Sequence, residues 1–177
     1  MTVHQDPEFE LLFEFYERVD RKALGSRATT KRAWSLLEGL PSEPRIVDLG
    51  CGAGASALVL AECGADVTAV DVHEPFLKRL RDLAVAAGSA DRITTVQADM
   101  ADPPLPDGGY DVVWSDGAIY LVGFAAGLAR WRRLLRPEGW IAVSEATWQE
   151  IDHWRRYGHT YGYVFYVAKT VADARVG

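Results

Sequence analysis

The chain has no asparagine, only two cysteines and two methionines, and no long apolar run. Cys51 and Cys63 are too few and too poorly placed for a disulfide framework or a zinc site, and they fit a reducing compartment with both thiols in or near the core. No apolar stretch approaches the ~20 residues of a membrane span. The N-terminus, Met1 to Asp6, lacks the basic start and apolar centre of an export signal, so the expected setting is cytoplasmic. Positive charge is scarce as well: 19 Lys and Arg against 25 Asp and Glu leave a net charge of −6. That argues against nucleic acid as a partner, since sequence-independent affinity for it comes from clustered cations. Small neutral or cationic partners are easier to accommodate. The missing asparagine and the excess of arginine over lysine read as genome composition and carry no mechanism. What remains, 177 residues with 49% hydrophobic and 25% charged, is one globular domain with a single substantial core.

Asp6-Pro7-Glu8 reads as a helix start, followed by an apolar stripe at Phe9, Leu12, Phe13 and Tyr16. A second helix is expected from Thr29 or Thr30 to just before Pro41, with Ala33, Leu36, Leu37 and Leu40 on one face. From Arg45 onward, short β-rich runs alternate with helical ones. The strands are Ile46–Leu49, Asp66–Val70, Ile93–Gln97, Tyr110–Trp114, Trp140–Ser144 and Tyr163–Ala168. The helices between them are Ala55–Cys63, one opened by Glu74-Pro75 with Phe76, Leu80, Leu83, Ala84 and Ala87 inward, and one marked by Phe124, Leu128, Trp131 and Leu135. Arg136-Pro137-Glu138-Gly139 fits a β-turn. Strands this apolar, alternating with helices at βαβ spacing, predict an α/β, doubly wound, mostly parallel sheet covered on both faces. Ligands of such a sheet sit beyond the carboxyl ends of its strands.

The first strand ends Asp48-Leu49-Gly50-Cys51-Gly52-Ala53-Gly54. Glycines there let the backbone turn sharply and approach a ligand, with the free N–H groups of the next helix facing it. Alone the pattern also fits a dinucleotide fingerprint. Asp48 weighs against that, because a carboxylate two residues before the first glycine repels a diphosphate and suits an ammonium or sulfonium. Asp71 ends the second strand, where it can accept hydrogen bonds from both ribose hydroxyls. Asp99, in Gln97-Ala98-Asp99-Met100, follows the third strand and suits the exocyclic amine of adenine, with Met100 as an amide donor and apolar wall. Three successive strand ends thus offer acids to the amino-acid end, the sugar and the base of one extended nucleoside.

These segments, with Val70-Asp71 and Leu134-Leu135-Arg136-Pro137-Glu138-Gly139, resemble the class I S-adenosylmethionine-dependent methyltransferases. More narrowly, Trp114-Ser115-Asp116-Gly117-Ala118-Ile119-Tyr120, Ser144-Glu145-Ala146-Thr147-Trp148 and Tyr161 to Ala168 resemble a bacterial small-molecule subgroup of that family. The resemblance implies a Rossmann-like sheet of about six strands with the last antiparallel. It implies S-adenosylmethionine as cofactor, S-adenosylhomocysteine as product and a small-molecule acceptor. It places Gly50, Gly52 and Gly54 under the methionine part, Asp71 at the ribose and Asp99 with Met100 at the adenine, and Cys51 and Val72 join them as cofactor-binding residues. Ser115 and Asp116, following the fourth strand, fall at cofactor contacts and the acceptor entrance. Residues 1–44 become helices packing over the cofactor cleft, and residues 45–177 the core. Relatives carry a long insert between the positions of Trp148 and Gln149, with lid helices, a further strand and acceptor residues. Its absence here leaves the last strand as a sheet edge open to a second copy, and leaves a non-catalytic cofactor-binding module as the alternative function.

Plainer readings stand beside several of these. Asp71 also fits a helix cap, Asp99 a surface acid, and Asp116 a general base, an acceptor-orienting group or a loop acid. Trp114 and Tyr120 fit packing positions, and His73 a half-exposed helix-leading residue. His153 and His159 lack partners at metal-ligand spacing, so no metal is expected. Arg130, Arg132, Arg133 and Arg136 read as a solvated face near a helix end.

Overall fold

The computed structural model describes residues 25–145 and 164–170. The expected first helix (Phe9 to Tyr16), His153, His159 and the segments Ala146–Trp148 and Tyr161–Tyr163 lie outside them. Helices are α1 (Arg27–Trp34), α2 (Ala55–Glu62), α3 (Glu74–Ala86) and α4 (Phe124–Trp131); strands are β1 (Arg45–Leu49), β2 (Asp66–Asp71), β3 (Ile93–Gln97), β4 (Tyr110–Asp116), β5 (Leu135–Glu145) and β6 (Val164–Lys169). The strands form one sheet in the order β3-β2-β1-β4-β5-β6, parallel throughout except for β6, which runs antiparallel to β5. This is the expected doubly wound architecture, with the chain reversing direction across the sheet between β3 and β4.

Both faces are dry. Ile46, Val67, Val112, Trp114 and Ala142 point to the side covered by Ala33 of α1, Ala57 and Leu60 of α2 and Leu80 of α3. Val47, Leu49, Val70, Val113 and Val143 point to the other side, under Trp131 and Leu134. Apolar runs without alternation are what such two-sided burial demands. β6 adds Phe165 and Val167 to the first face, while Tyr166 turns to the second and meets Phe124 edge-on.

Element boundaries differ from expectation in instructive places. α1 starts at Arg27 because Ser26 and Thr29 cap it reciprocally: the Thr29 amide donates to the Ser26 hydroxyl at 3.2 Å, and the Ser26 amide to the Thr29 hydroxyl at 2.6 Å. Capping boxes usually use Glu or Gln at the third position, so a threonine there hides the signal. α1 also ends at Trp34, leaving Leu36 exposed. On α3 the buried stripe is Phe76, Leu77, Leu80 and Ala84. Leu83 lies on its rim, exposed, and Ala87 is already the C-cap. β4 runs two residues further than expected, so Ser115 and Asp116 are its last strand positions, opposite Val143 and Ser144 of β5.

β5 begins at Leu135 because Arg136 to Gly139 bulge out of a continuing strand: Tyr110 pairs with Leu135 and Val112 with Trp140. Glu138, third in the turn, takes a φ of 61°, and a Cβ on Gly139 would lie 3.0 Å from the Arg136 carbonyl oxygen. Arg130 and Arg132 are exposed, as a solvated face requires, but Arg133 and Arg136 are half-buried and paired. Arg136 pairs with the buried Asp111, and Arg133 reaches Asp102, Asp107 and the carbonyls of Pro103 and Leu105, clamping the proline-rich loop before β4.

Candidate cofactor and active site

The carboxyl end of the sheet gathers the expected residues. Asp48, Ala69, Trp114 and Ala142 stand side by side across β2, β1, β4 and β5. Strand side chains repeat a face every second residue, so the next layer on that face holds Asp71, Asp116 and Ser144. Between Asp71 and Asp116 the chain leaves β1 as the glycine loop.

The amides of Gly50 and Cys51 both donate to the Val70 carbonyl, at 2.9 and 3.0 Å, which pins the loop to β2. Gly50 has a φ of 70°, and a Cβ there would sit 2.5 Å from the Ala118 Cβ and 3.0 Å from the Met100 sulfur. Gly54, at φ 79°, heads α2, and a Cβ there would fall 2.1 Å from Leu80 Cδ1. Gly52 is also left-handed, and its amide donates to Asp71 Oδ2 at 2.8 Å. The other Asp71 oxygen accepts from the His73 amide at 2.9 Å. Asp71 therefore braces the loop from the neighbouring strand, while Gln97 fixes the Val72 carbonyl at 3.0 Å.

Gly50→Ala is expected to cost about 1–3 kcal/mol, from left-handed strain and from displacing Ala118 and Met100. Chemical denaturation measures it, and a cost below about 0.5 kcal/mol would show that the loop yields freely.

After β3, Asp99 is exposed, and its Oδ1 accepts from the Ala101 amide at 2.8 Å. Met100 is buried against the glycine loop, its carbonyl held at 2.8 Å by the indole N–H of Trp131. Ser115 is fully buried, and its hydroxyl donates to the Leu49 carbonyl at 2.8 Å, bridging β4 to the end of β1. Asp116 is held on both sides: the Ser56 hydroxyl donates to Oδ2 at 2.7 Å and the Ser144 hydroxyl to Oδ1 at 2.8 Å. Ser144 in turn accepts the Gly117 amide at 2.8 Å. Neither serine stands out in sequence. Ser144 earns its place only because β5 registers against β4, and Ser56 because the loop swings the start of α2 over the strand ends.

Electrostatics set Asp48 apart. It is 1% exposed, and neither carboxylate oxygen has a hydrogen-bond partner among the described residues. Burial above all, then the charges of Asp116 and Asp71, holds its carboxyl well above the usual carboxylate range; the Ala57 amide opposes this without closing a hydrogen bond of normal geometry. Burial also raises Asp71, against the hydrogen bonds from His73 and Gly52. The Cys51 thiol is pushed up by burial and by Asp48 and Asp71, which keeps it protonated and a poor nucleophile.

A carboxyl that holds its proton more firmly when folded than unfolded stabilises the fold in acid. That contribution is lost as pH rises from the ordinary carboxylate range to the folded value. Asp48 and Asp71 both act in this direction, so stability is expected to fall through that window, each group contributing up to about 1.4 kcal/mol per pH unit. Asp48→Asn should flatten much of the slope. Urea midpoints across pH measure it, and a slope unchanged in the variant would contradict the assignment.

The residues present suit an adenosyl cofactor bearing positive charge. A left-handed glycine loop with no room for side chains leads into a helix N-terminus, buried and half-buried acids line one face, and Asp48 carries two unpartnered oxygens. Such a sheet and loop define a Rossmann-like nucleoside-binding class. Within it, residues 46–139 match the family described as "Methyltransferase domain", and the chain belongs to that family, the class I S-adenosylmethionine-dependent methyltransferases. It is 36% identical over 151 residues to the demethylmenaquinone methyltransferase of Clavibacter sepedonicus, covering 85% of this chain and 56% of that protein. It is 32% identical over 135 residues to the 27-O-demethylrifamycin SV methyltransferase of Amycolatopsis mediterranei (strain S699), covering 71% and 48%. The chain thus spans about half the length of these relatives. Its fold matches geranyl diphosphate methyltransferase in complex with SAM at a TM-score of 0.64, with 18% identity, over 75% of this chain and 57% of that one. Among the described residues no helix is long and apolar enough to cross a membrane.

Proposed function

We propose that this chain binds S-adenosylmethionine beyond the carboxyl ends of β1 to β4 and transfers its methyl group to a small-molecule acceptor, leaving S-adenosylhomocysteine. The observation that carries this reading is the convergence of Asp48, Asp71 and Asp116 on one face of the sheet around the glycine loop. Bound there, S-adenosylmethionine supplies an electrophilic methyl group on a sulfonium leaving group.

The chain's own part is to bind and orient. Gly50, Cys51, Gly52 and Gly54 shape the bed for the methionine portion, and Asp48 supplies negative charge beneath it. Each Asp71 oxygen accepts one backbone amide and keeps capacity for a ribose hydroxyl, with Val72 alongside. Asp99 and Met100 face the adenine. Ser115, its hydroxyl engaged by Leu49, contributes through its backbone. Asp116, fixed by Ser56 and Ser144, orients the acceptor or takes its proton. A base is needed only for an acceptor protonated at working pH, so alignment of the nucleophile supplies most of the rate. The free thiols of Cys51 and Cys63 support a cytoplasmic setting.

Thermal melting with S-adenosylhomocysteine tests cofactor binding, since a ligand held only by the folded state stabilises by RT ln(1 + [L]/Kd). Transfer of labelled methyl from S-adenosylmethionine to a panel of small acceptors tests the reaction. The binding reading predicts a raised melting temperature; none at millimolar ligand would sink it.

A second reading, cofactor binding without transfer, is favoured by β6, the outermost strand on its side among the described residues. It includes self-association through β6. Light scattering showing a strict monomer at high concentration would argue against that, and methyl transfer by the isolated chain would exclude it.

A further inference from the structure

Asp48 is not alone in lacking partners. Trp114, its register partner on β4, is fully buried, and its indole N–H is equally unpartnered among the described residues. The charges acting most strongly on Asp48 share one sign: Asp116 from the end of β4 and Asp71 from the end of β2. The Cys51 thiol lies in the loop that follows β1, and α2 contributes the Ala57 amide. An ionised carboxylate among these neighbours and away from water is the costly state. Burial therefore favours the protonated carboxyl, whereas a cation within a few ångströms favours the ionised form.

Resting on the reading of this cleft as a sulfonium-cofactor site, we propose that Asp48 releases its proton when the cationic cofactor binds and recovers it when the neutral product remains, so that this residue distinguishes the two. The carboxyl O–H bond breaks, its electron pair stays on the carboxylate, and the proton passes to the buffer. S-adenosylmethionine carries one net positive charge and S-adenosylhomocysteine none, so the incoming charge replaces that of the departing proton. Preference for cofactor over product then grows with pH, by up to about tenfold per pH unit where one full proton is exchanged.

Calorimetric titration of the full chain near neutral pH, in two buffers of unlike ionisation enthalpy, counts the protons. The ligands are S-adenosylmethionine, sinefungin (which bears an ammonium in place of the sulfonium) and S-adenosylhomocysteine. Net proton release is expected for the two cationic ligands and less than half as much for S-adenosylhomocysteine. Asp48→Asn, close in shape to the protonated acid, is expected to bind the two cationic ligands more weakly and to release no proton with any ligand it binds. Equal release by the three ligands in the wild-type chain, or release persisting in Asp48→Asn, overturns the proposal while leaving the site intact. Failure of all three to bind overturns the reading of the site itself. The wild-type comparison stands whether or not the variant folds.

Discussion

Asp71→Ala is expected to weaken S-adenosylhomocysteine binding by about a hundredfold or more. Two hydrogen bonds to a charged acceptor are worth about 1.5–3 kcal/mol each, and a hundredfold corresponds to about 2.7 kcal/mol. The substitution does more than remove a ribose partner. It frees the Gly52 amide, now held at 2.8 Å, and the His73 amide, held at 2.9 Å, so the loop and the start of α3 lose their common anchor. At a ligand concentration that stabilises the wild-type chain by about 2.7 kcal/mol, the variant should gain only about 0.4 kcal/mol. Paired melting curves read this directly. An equal shift in both proteins would remove Asp71 from the site.

Trp131→Ala should have the largest effect on stability, about 3–5 kcal/mol, the usual cost of emptying a large aromatic site. Trp131 is 1% exposed at the end of α4, packed among Val47, Val113 and Leu134, and it donates to the Met100 carbonyl at 2.8 Å. Removing it opens a cavity and leaves that carbonyl without its indole donor, a further penalty. Because Met100 lies against Gly50, cofactor binding should weaken too. Trp131→Phe keeps most of the volume and should cost less. Urea denaturation distinguishes the two, and a loss below about 1 kcal/mol for the alanine variant would show that the site collapses around the gap.

Both expectations depend on contacts the sequence displays unequally. The alternation of apolar runs with helical stripes, and the acids at Asp48, Asp71 and Asp99, were legible because two-sided burial and strand-end chemistry leave a local pattern. The antiparallel last strand came only from family resemblance. The inner face of α3 departs from its sequence pattern at Leu83 and Ala87, since a stripe drawn at helical spacing does not show where its centre lies or where the helix stops. The Ser56–Asp116–Ser144 brace was invisible, because it joins residues 60 and 28 positions apart through strand register and a loop swing. Arg136 looked like surface charge, yet its partner Asp111 is buried one strand away. Long-range pairing of this kind depends on register, which no local window contains.

The central claim is that acids from successive strand ends converge on one adenosyl cofactor bearing positive charge. A crystal structure with bound sinefungin tests it most directly. The ribose hydroxyls should lie within hydrogen-bond distance of Asp71, the adenine amine beside Asp99, and the ammonium side toward Asp48 and Asp116. Ligand seated elsewhere, or those carboxylates turned away from it, would contradict the account.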